Sequence, residues 1–252
     1  GNITSELIKK LYIQTRGYSY SHDYMWAEIN NSSYTEINKP EILEKYNFSH
    51  FIDTGNPFLI IAKFDNSLIL YLGGVNSQRK DIVGTTIRNT ILFIFEESEL
   101  SSKVIRIIAT KFLLSTEELK NSIDSFISFP DSSKIKPNPV IDTLGFFLNN
   151  EEFEKFLSKY IDESKSLETS DFSNERLISK NTEENRKFLA DEINKSELPD
   201  EGGILFLITK NKKQETIIEA KPFRGLSSLI NDESWIKIEE EIKKNSETGF
   251  QQ

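Results

Sequence analysis

Phe58-Leu59-Ile60-Ile61-Ala62 and Leu68-Ile69-Leu70-Tyr71-Leu72 are two short apolar runs separated by a turn-forming stretch that contains Asp65-Asn66-Ser67. Runs of this length, bounded by residues that accept tight-turn geometry, specify a β-hairpin with both strands in a core. Working outward, Asn76 to Thr86 reads as a polar loop after Gly73-Gly74. Ile87 to Phe95 reads as a third strand, with Ile91, Phe93 and Phe95 on alternate positions. Residues 1–96 are therefore expected to be mainly β.

The middle of the chain changes period. Val104, Ile107, Ile108 and Phe112 recur at helical spacing after Ser101-Ser102, and Ser115-x-x-Glu118 has the form of a capping box for a second helix carrying Leu119, Ile123 and Phe126. Pro130 to Pro139 holds three prolines in ten residues and reads as a loop or boundary. A further helix is expected from Glu151, with Phe153, Phe156, Leu157, Tyr160 and Ile161 on one face. Another follows Asn181-x-x-Glu184 and reaches Phe188, Leu189 and Ile193.

The last third returns to β-like composition. Ile204 to Ile208 and Thr216-Ile217-Ile218 flank the polar Lys210-Asn211-Lys212-Lys213, which reads as a second hairpin, and Trp235 to Lys244 reads as a closing amphipathic helix. The expected fold is α+β: a mixed β-sheet built from the N-terminal and C-terminal hairpins, with a helical middle segment. No βαβ alternation is read here, which argues against a doubly wound nucleotide-binding sheet. The natural division is 1–129, a β-rich part followed by two helices, and 140–252, a helical segment, hairpin and closing helix, with one joint domain as the other option.

Composition removes much familiar chemistry. There are 252 residues, no cysteine and only two histidines, so disulfide frameworks, thiolate nucleophiles, iron–sulfur clusters and multi-histidine metal centres are all excluded within one chain. A net charge of -9 disfavours nucleic acid as a partner unless basic residues are segregated on one face. No stretch approaches the roughly 20 apolar residues of a membrane span, and the first thirty residues lack a signal-peptide core, so a cytoplasmic protein without membrane contact is expected. The leading Gly without Met reads as an expression remnant, and a chain ending in the polar Ser246 to Gln252 tail is open to being either whole or cut from a longer protein.

Three constellations stand out. Tyr18-Ser19-Tyr20-Ser21-His22-Asp23-Tyr24-Met25-Trp26 concentrates aromatic residues of the kind that interfaces and ligand clefts favour. On an extended strand, Tyr18, Tyr20, Tyr24 and Trp26 would share one face, which could equally cover the core, while His22 and Asp23 would point apart. Asn76 to Asn89 carries Arg79, Lys80 and Arg88, a local positive charge in an acidic chain, and Gly84, which permits close backbone approach. It lacks the glycine-lysine-serine order of a P-loop. Together with Thr15-Arg16-Gly17-Tyr18, this loop resembles the N-terminal adaptor domains of prokaryotic conflict and GTPase-associated systems, although it is too short to carry a role onto any one residue. Pro199-Asp200 with Glu219-Ala220-Lys221 resembles the PD-(D/E)xK nuclease signature, in which two acids hold Mg2+ and the lysine orients water.

The leading expectation is a non-enzymatic recognition or adaptor module of a bacterial cytoplasmic system. It would bind a protein or peptide partner through Tyr18, Tyr20, His22, Tyr24, Trp26, Arg79 and Arg88, with no cofactor. The first alternative is a metal-dependent nuclease using Asp200, Glu219 and Lys221, with Mg2+ as its only cofactor. The second is a small-ligand sensor in which the aromatic cluster lines a pocket.

Overall fold

A computed structural model describes residues 6–19, 21–30, 33–130 and 144–250, with side chains through residue 247. The opening hairpin forms where its sequence places it. β4 (Phe58–Phe64) and β5 (Ser67–Lys80) pair antiparallel from Phe58↔Gly73 to Phe64↔Ser67, turning through Asp65 and Asn66, both with positive φ. These residue types tolerate that conformation best after glycine.

Around this hairpin the chain builds one ten-stranded sheet. β1 (Ile8–Arg16), β2 (Tyr24–Asn30) and β3 (Ser33–Ile37) extend it through β6 (Thr86–Glu96), which pairs with both β5 and β1. On the other side, β10 (Gly203–Ile208) pairs antiparallel with β4, followed by β11 (Arg224–Ser227), β9 (Leu177–Lys180) and the short β12 (Ile236–Lys237). A separate pair joins β7 (Ile127–Ser128) to β8 (Phe147–Leu148). The fold is mixed α+β, with strands toward both ends of the chain and helices in the middle.

Both faces of the central strands are buried. Leu59 and Ile61 of β4 join one apolar cluster, and Phe58, Ile60 and Ala62 join the other. This is why the run is continuously apolar rather than alternating. Each of the Leu, Ile and Phe side chains contributes about 1.5–3 kcal/mol relative to exposure. The first face is covered by α3 (Glu99–Leu114), α4 (Thr116–Phe126), α5 (Asn150–Ser164) and α6 (Glu183–Lys195). The second face is covered by α1 (Ile42–Lys45), α2 (Phe48–Phe51), α7 (Gln214–Ala220) and the start of α8 (Ile238–Phe250).

Several expectations are corrected. The second hairpin does not form: β10 is followed by α7, and Ile217 and Ile218 pack on the second face from a helix. The β-branched Thr216-Ile217-Ile218 suggests a strand, but tertiary burial overrides this local preference. β9, β10 and β11 run parallel, with α6 and α7 as their crossovers, so βαβ alternation is present. The loop at 76–86 is mostly strand, since β5 continues to Lys80 and β6 starts at Thr86. The capping box is made by Ser98 and Ser101 at α3, whereas Ser115 makes no side-chain cap and Glu118 pairs with Lys111 and Lys159. The N-cap of α6 is Thr182, not Asn181. Of the proline-rich segment, residues 131–139 lie outside the described residues.

Candidate functional site

The β5–β6 hairpin overhangs its neighbours. β5 leaves β4 at Gly73 and runs on to Lys80, while the last described pairing of β6 with β1 is Gln14↔Thr90. The overhang closes in a tight turn: Asp81 N–H donates to Thr85 O at 2.8 Å, and Asp81 Oδ1 accepts the N–H groups of Val83 and Thr85 at 3.0 and 2.8 Å. Gly84 has a φ of +83° with nothing close to it, so its role is to make the turn rather than to admit a neighbouring backbone. The turn turns Ile82 and Val83 outward, 75% and 80% exposed.

A buried polar chain fixes the base of this overhang. Asp124 of α4 accepts from Ser77 Oγ at 2.8 Å, Gln78 N at 2.9 Å and Asn89 Nδ2 at 3.1 Å, and Asn89 Oδ1 accepts from Thr15 Oγ1 at 2.6 Å. Thr15, Ser77 and Asn89 are buried, and buried polar groups of this kind hold their geometry because leaving them unpaired is costly.

Arg79 then ties the overhang to the loop between β1 and β2. Its guanidinium donates to the carbonyls of Arg16 (2.7 Å) and Gly17 (3.3 Å) and to Thr15 Oγ1 (3.3 Å), and it lies 3.9 Å from the Phe129 ring centre. Burial lowers its pKa, opposed by the nearby charge of Asp124. Among the described residues between β1 and β2 none is in a strand, so the expectation of one aromatic strand face from Tyr18 to Trp26 is corrected. Tyr18 lies in the loop, 59% exposed, while Tyr24 and Trp26 lie on β2. Trp26 is only 5% exposed and packs in the second core cluster. Tyr20 lies outside the described residues.

His22 and Asp23 do not act as a pair. His22 Nδ1 lies 2.5 Å from Ser19 Oγ, and its ring packs on Gly17 and Gly145, where a Cβ would come within 2.7 Å. Tyr18 N–H donates to Gly145 O at 3.0 Å, docking this loop on the segment before β8. Asp23 pairs with Arg16 at 3.0 Å. Arg88 donates to Gly55 O, and its own N–H donates to Tyr24 Oη at 3.1 Å.

Between the loop and the overhang lies a groove of about 620 Å3, lined by Arg16, Tyr18, Ser19, Arg79, Ile82 and Ile87 among others. Two segments some sixty residues apart in sequence thus share one concave surface. Sequence reasoning missed Ile82 and Val83. Their signal is present in Asp81-Ile82-Val83-Gly84-Thr85, an aspartate-to-glycine turn that holds two aliphatic residues with no strand to bury them.

Asp200, Glu219 and Lys221 are distributed otherwise. Asp200 pairs with Lys63 at 3.1 Å and lines a groove of about 610 Å3 with Lys103 and Arg106 of α3, on the first face. Glu219 sits on α7, on the second face, 2.7 Å from His50 Nε2 of α2. Lys221 is the left-handed cap of α7, not a strand residue. Among the described residues no group of three or more His, Cys, Asp or Glu is placed to hold a metal ion. No helix among them is long and apolar enough to cross a membrane. Comparison with known protein families, curated proteins and solved structures finds no match.

Proposed function

We propose that the chain is a non-enzymatic recognition or adaptor module of a bacterial cytoplasmic system. It engages a protein or peptide partner at the end of the sheet where the β1–β2 loop meets the β5–β6 overhang. The observation that carries this reading is the Arg79 clamp on Arg16 and Gly17, which joins the aromatic loop to the basic hairpin around one groove. Exposed Tyr18 and Ile82 line it, with exposed Val83 beside Ile82 in the turn, and surface aromatic and aliphatic groups on a rigid scaffold are what a partner can desolvate.

Trp26 belongs to the core and is unsuitable as a probe. The test is affinity capture from the native host with the wild-type chain and with Tyr18→Ala/Ile82→Ser/Val83→Ser. All three side chains are exposed, so the variant should keep its fold and lose a stoichiometric partner. Capture of the same proteins by both would sink the reading.

A further inference from the structure

Ion pairing is uneven over the molecule. Among the described residues, most Lys and Arg lie within 4 Å of a carboxylate, on helices and sheet margins. Arg79, Lys80 and Arg88 on the β5–β6 hairpin make no such pair with a described residue, and neither do Lys210, Lys212 and Lys213 in the turn after β10. Strand register places both groups at the same end of the sheet. Ile208↔Leu59 and Phe58↔Gly73 set the exit of β10 beside the start of β4 and the point where the hairpin leaves it.

The two groups are also joined by contacts. Asn211 Nδ2 donates to Asp53 Oδ2 at 3.2 Å, Gly55 N donates to Asp53 Oδ1 at 3.0 Å, and Gly55 O accepts from Arg88. Of the acids at this end, Asp124 is held by Ser77, Gln78 and Asn89, and three more are engaged. Asp23 pairs with Arg16, Asp81 is held by its own turn, and Asp53 is kept below its usual pKa first by Gly55 N–H and then by Asn56. Glu215, in the first turn of α7, is exposed beside this turn. In a chain of net charge -9, six of the eleven described Lys and Arg that have no carboxylate of another described residue within 4 Å are therefore in these two groups, the others being Arg106, Lys180, Arg186, Lys221 and Lys243. Three strand spacings plus the hairpin overhang give a path of about 25–35 Å, the length of roughly eight to ten extended residues.

We infer that the partner segment recognised at this end is an acidic peptide carrying aliphatic or aromatic side chains. The inference rests on the recognition reading above and adds the partner's chemistry. Arg79 is already engaged as the clamp, but Lys80, Arg88, Lys210, Lys212 and Lys213 reach solvent and call for carboxylates, while Ile82, Val83 and Tyr18 call for apolar side chains, which a phosphate backbone does not offer. The remainder of the acidic surface repels such a segment and steers it to this end.

The test is a display selection of random peptides of about twelve residues against the full chain, followed by binding of the best peptide in solution. The expected result is enrichment in Asp and Glu interspersed with apolar residues. Affinity should fall by about tenfold or more in Lys210→Glu/Lys212→Glu and fall again as salt rises. Enriched peptides without an acidic excess, whose binding is lost only in Ile82→Ser/Val83→Ser, would overturn the acidic assignment and leave the recognition reading standing. Absence of any enriched peptide contradicts both. A fluorescent oligothymidylate of about twenty nucleotides that binds more tightly than the best peptide, and is weakened by the same lysine reversals, would reassign the surface to nucleic acid.

Discussion

Arg224 shows what single residues do in this molecule. Almost fully buried on β11, it donates to both Glu192 carboxylate oxygens at 2.8 Å and to Glu175 O at 2.6 Å, tying the sheet to α6. Arg224→Met would leave Glu192 and the Glu175 carbonyl short of a donor, and is expected to cost about 3–5 kcal/mol, measured as a lower urea midpoint. A loss under about 1 kcal/mol would contradict the packing. Arg79 does similar work at the site, and its positive charge was legible in the sequence. Its contact with Gly17 was not, because sequence carries no signal for a guanidinium reaching carbonyls sixty residues away. The aromatic segment was legible as a cluster, yet Trp26 went to the core and Tyr18 to the surface once β1 ended at Arg16.

Among the elements, the β5–β6 hairpin is central because its outer half pairs with neither β4 nor the described stretch of β1. Asp124 is the main anchor at its base. Asp124→Ala would strand three donors, and a loss of about 2–3 kcal/mol is expected, together with faster amide exchange over residues 75–89. Unchanged exchange there would show that the overhang is held by other contacts. The strand runs at 58–62 and 68–72 were readable because burial on both faces leaves a continuous apolar signature. The helix at 214–220 was not, since Ile217 and Ile218 are β-formers that only the finished sheet makes helical. Glu219 thereby left the strand that the nuclease signature requires.

For the whole molecule, ten strands form one sheet that joins both halves of the sequence, with helices on both faces. The α+β class follows from composition and period. The parallel β9–β11–β10 arrangement does not, because its crossovers depend on which short apolar run becomes α7. Deep burial also gives a global pH response. Burial pushes the Tyr160 hydroxyl up to about 12, opposed by its bond to Ser122, and burial raises Tyr71 further. A folded pKa above the unfolded value of about 10 means that this stability is complete below pH 10 and is lost as pH rises through 12. Alkaline unfolding is therefore expected in that window, with Tyr160→Phe moving its midpoint upward. A simple titration of all eight tyrosines near pH 10 without unfolding would contradict it.

The most direct measurement of the central claim is amide hydrogen exchange of the chain alone and with its captured partner or selected peptide. The account predicts new protection confined to residues 16–24, 53–57, 79–88 and 209–213. Protection at the opposite end of the sheet, around Lys63, Lys103 and Asp200, with none at the hairpin tip, would contradict it.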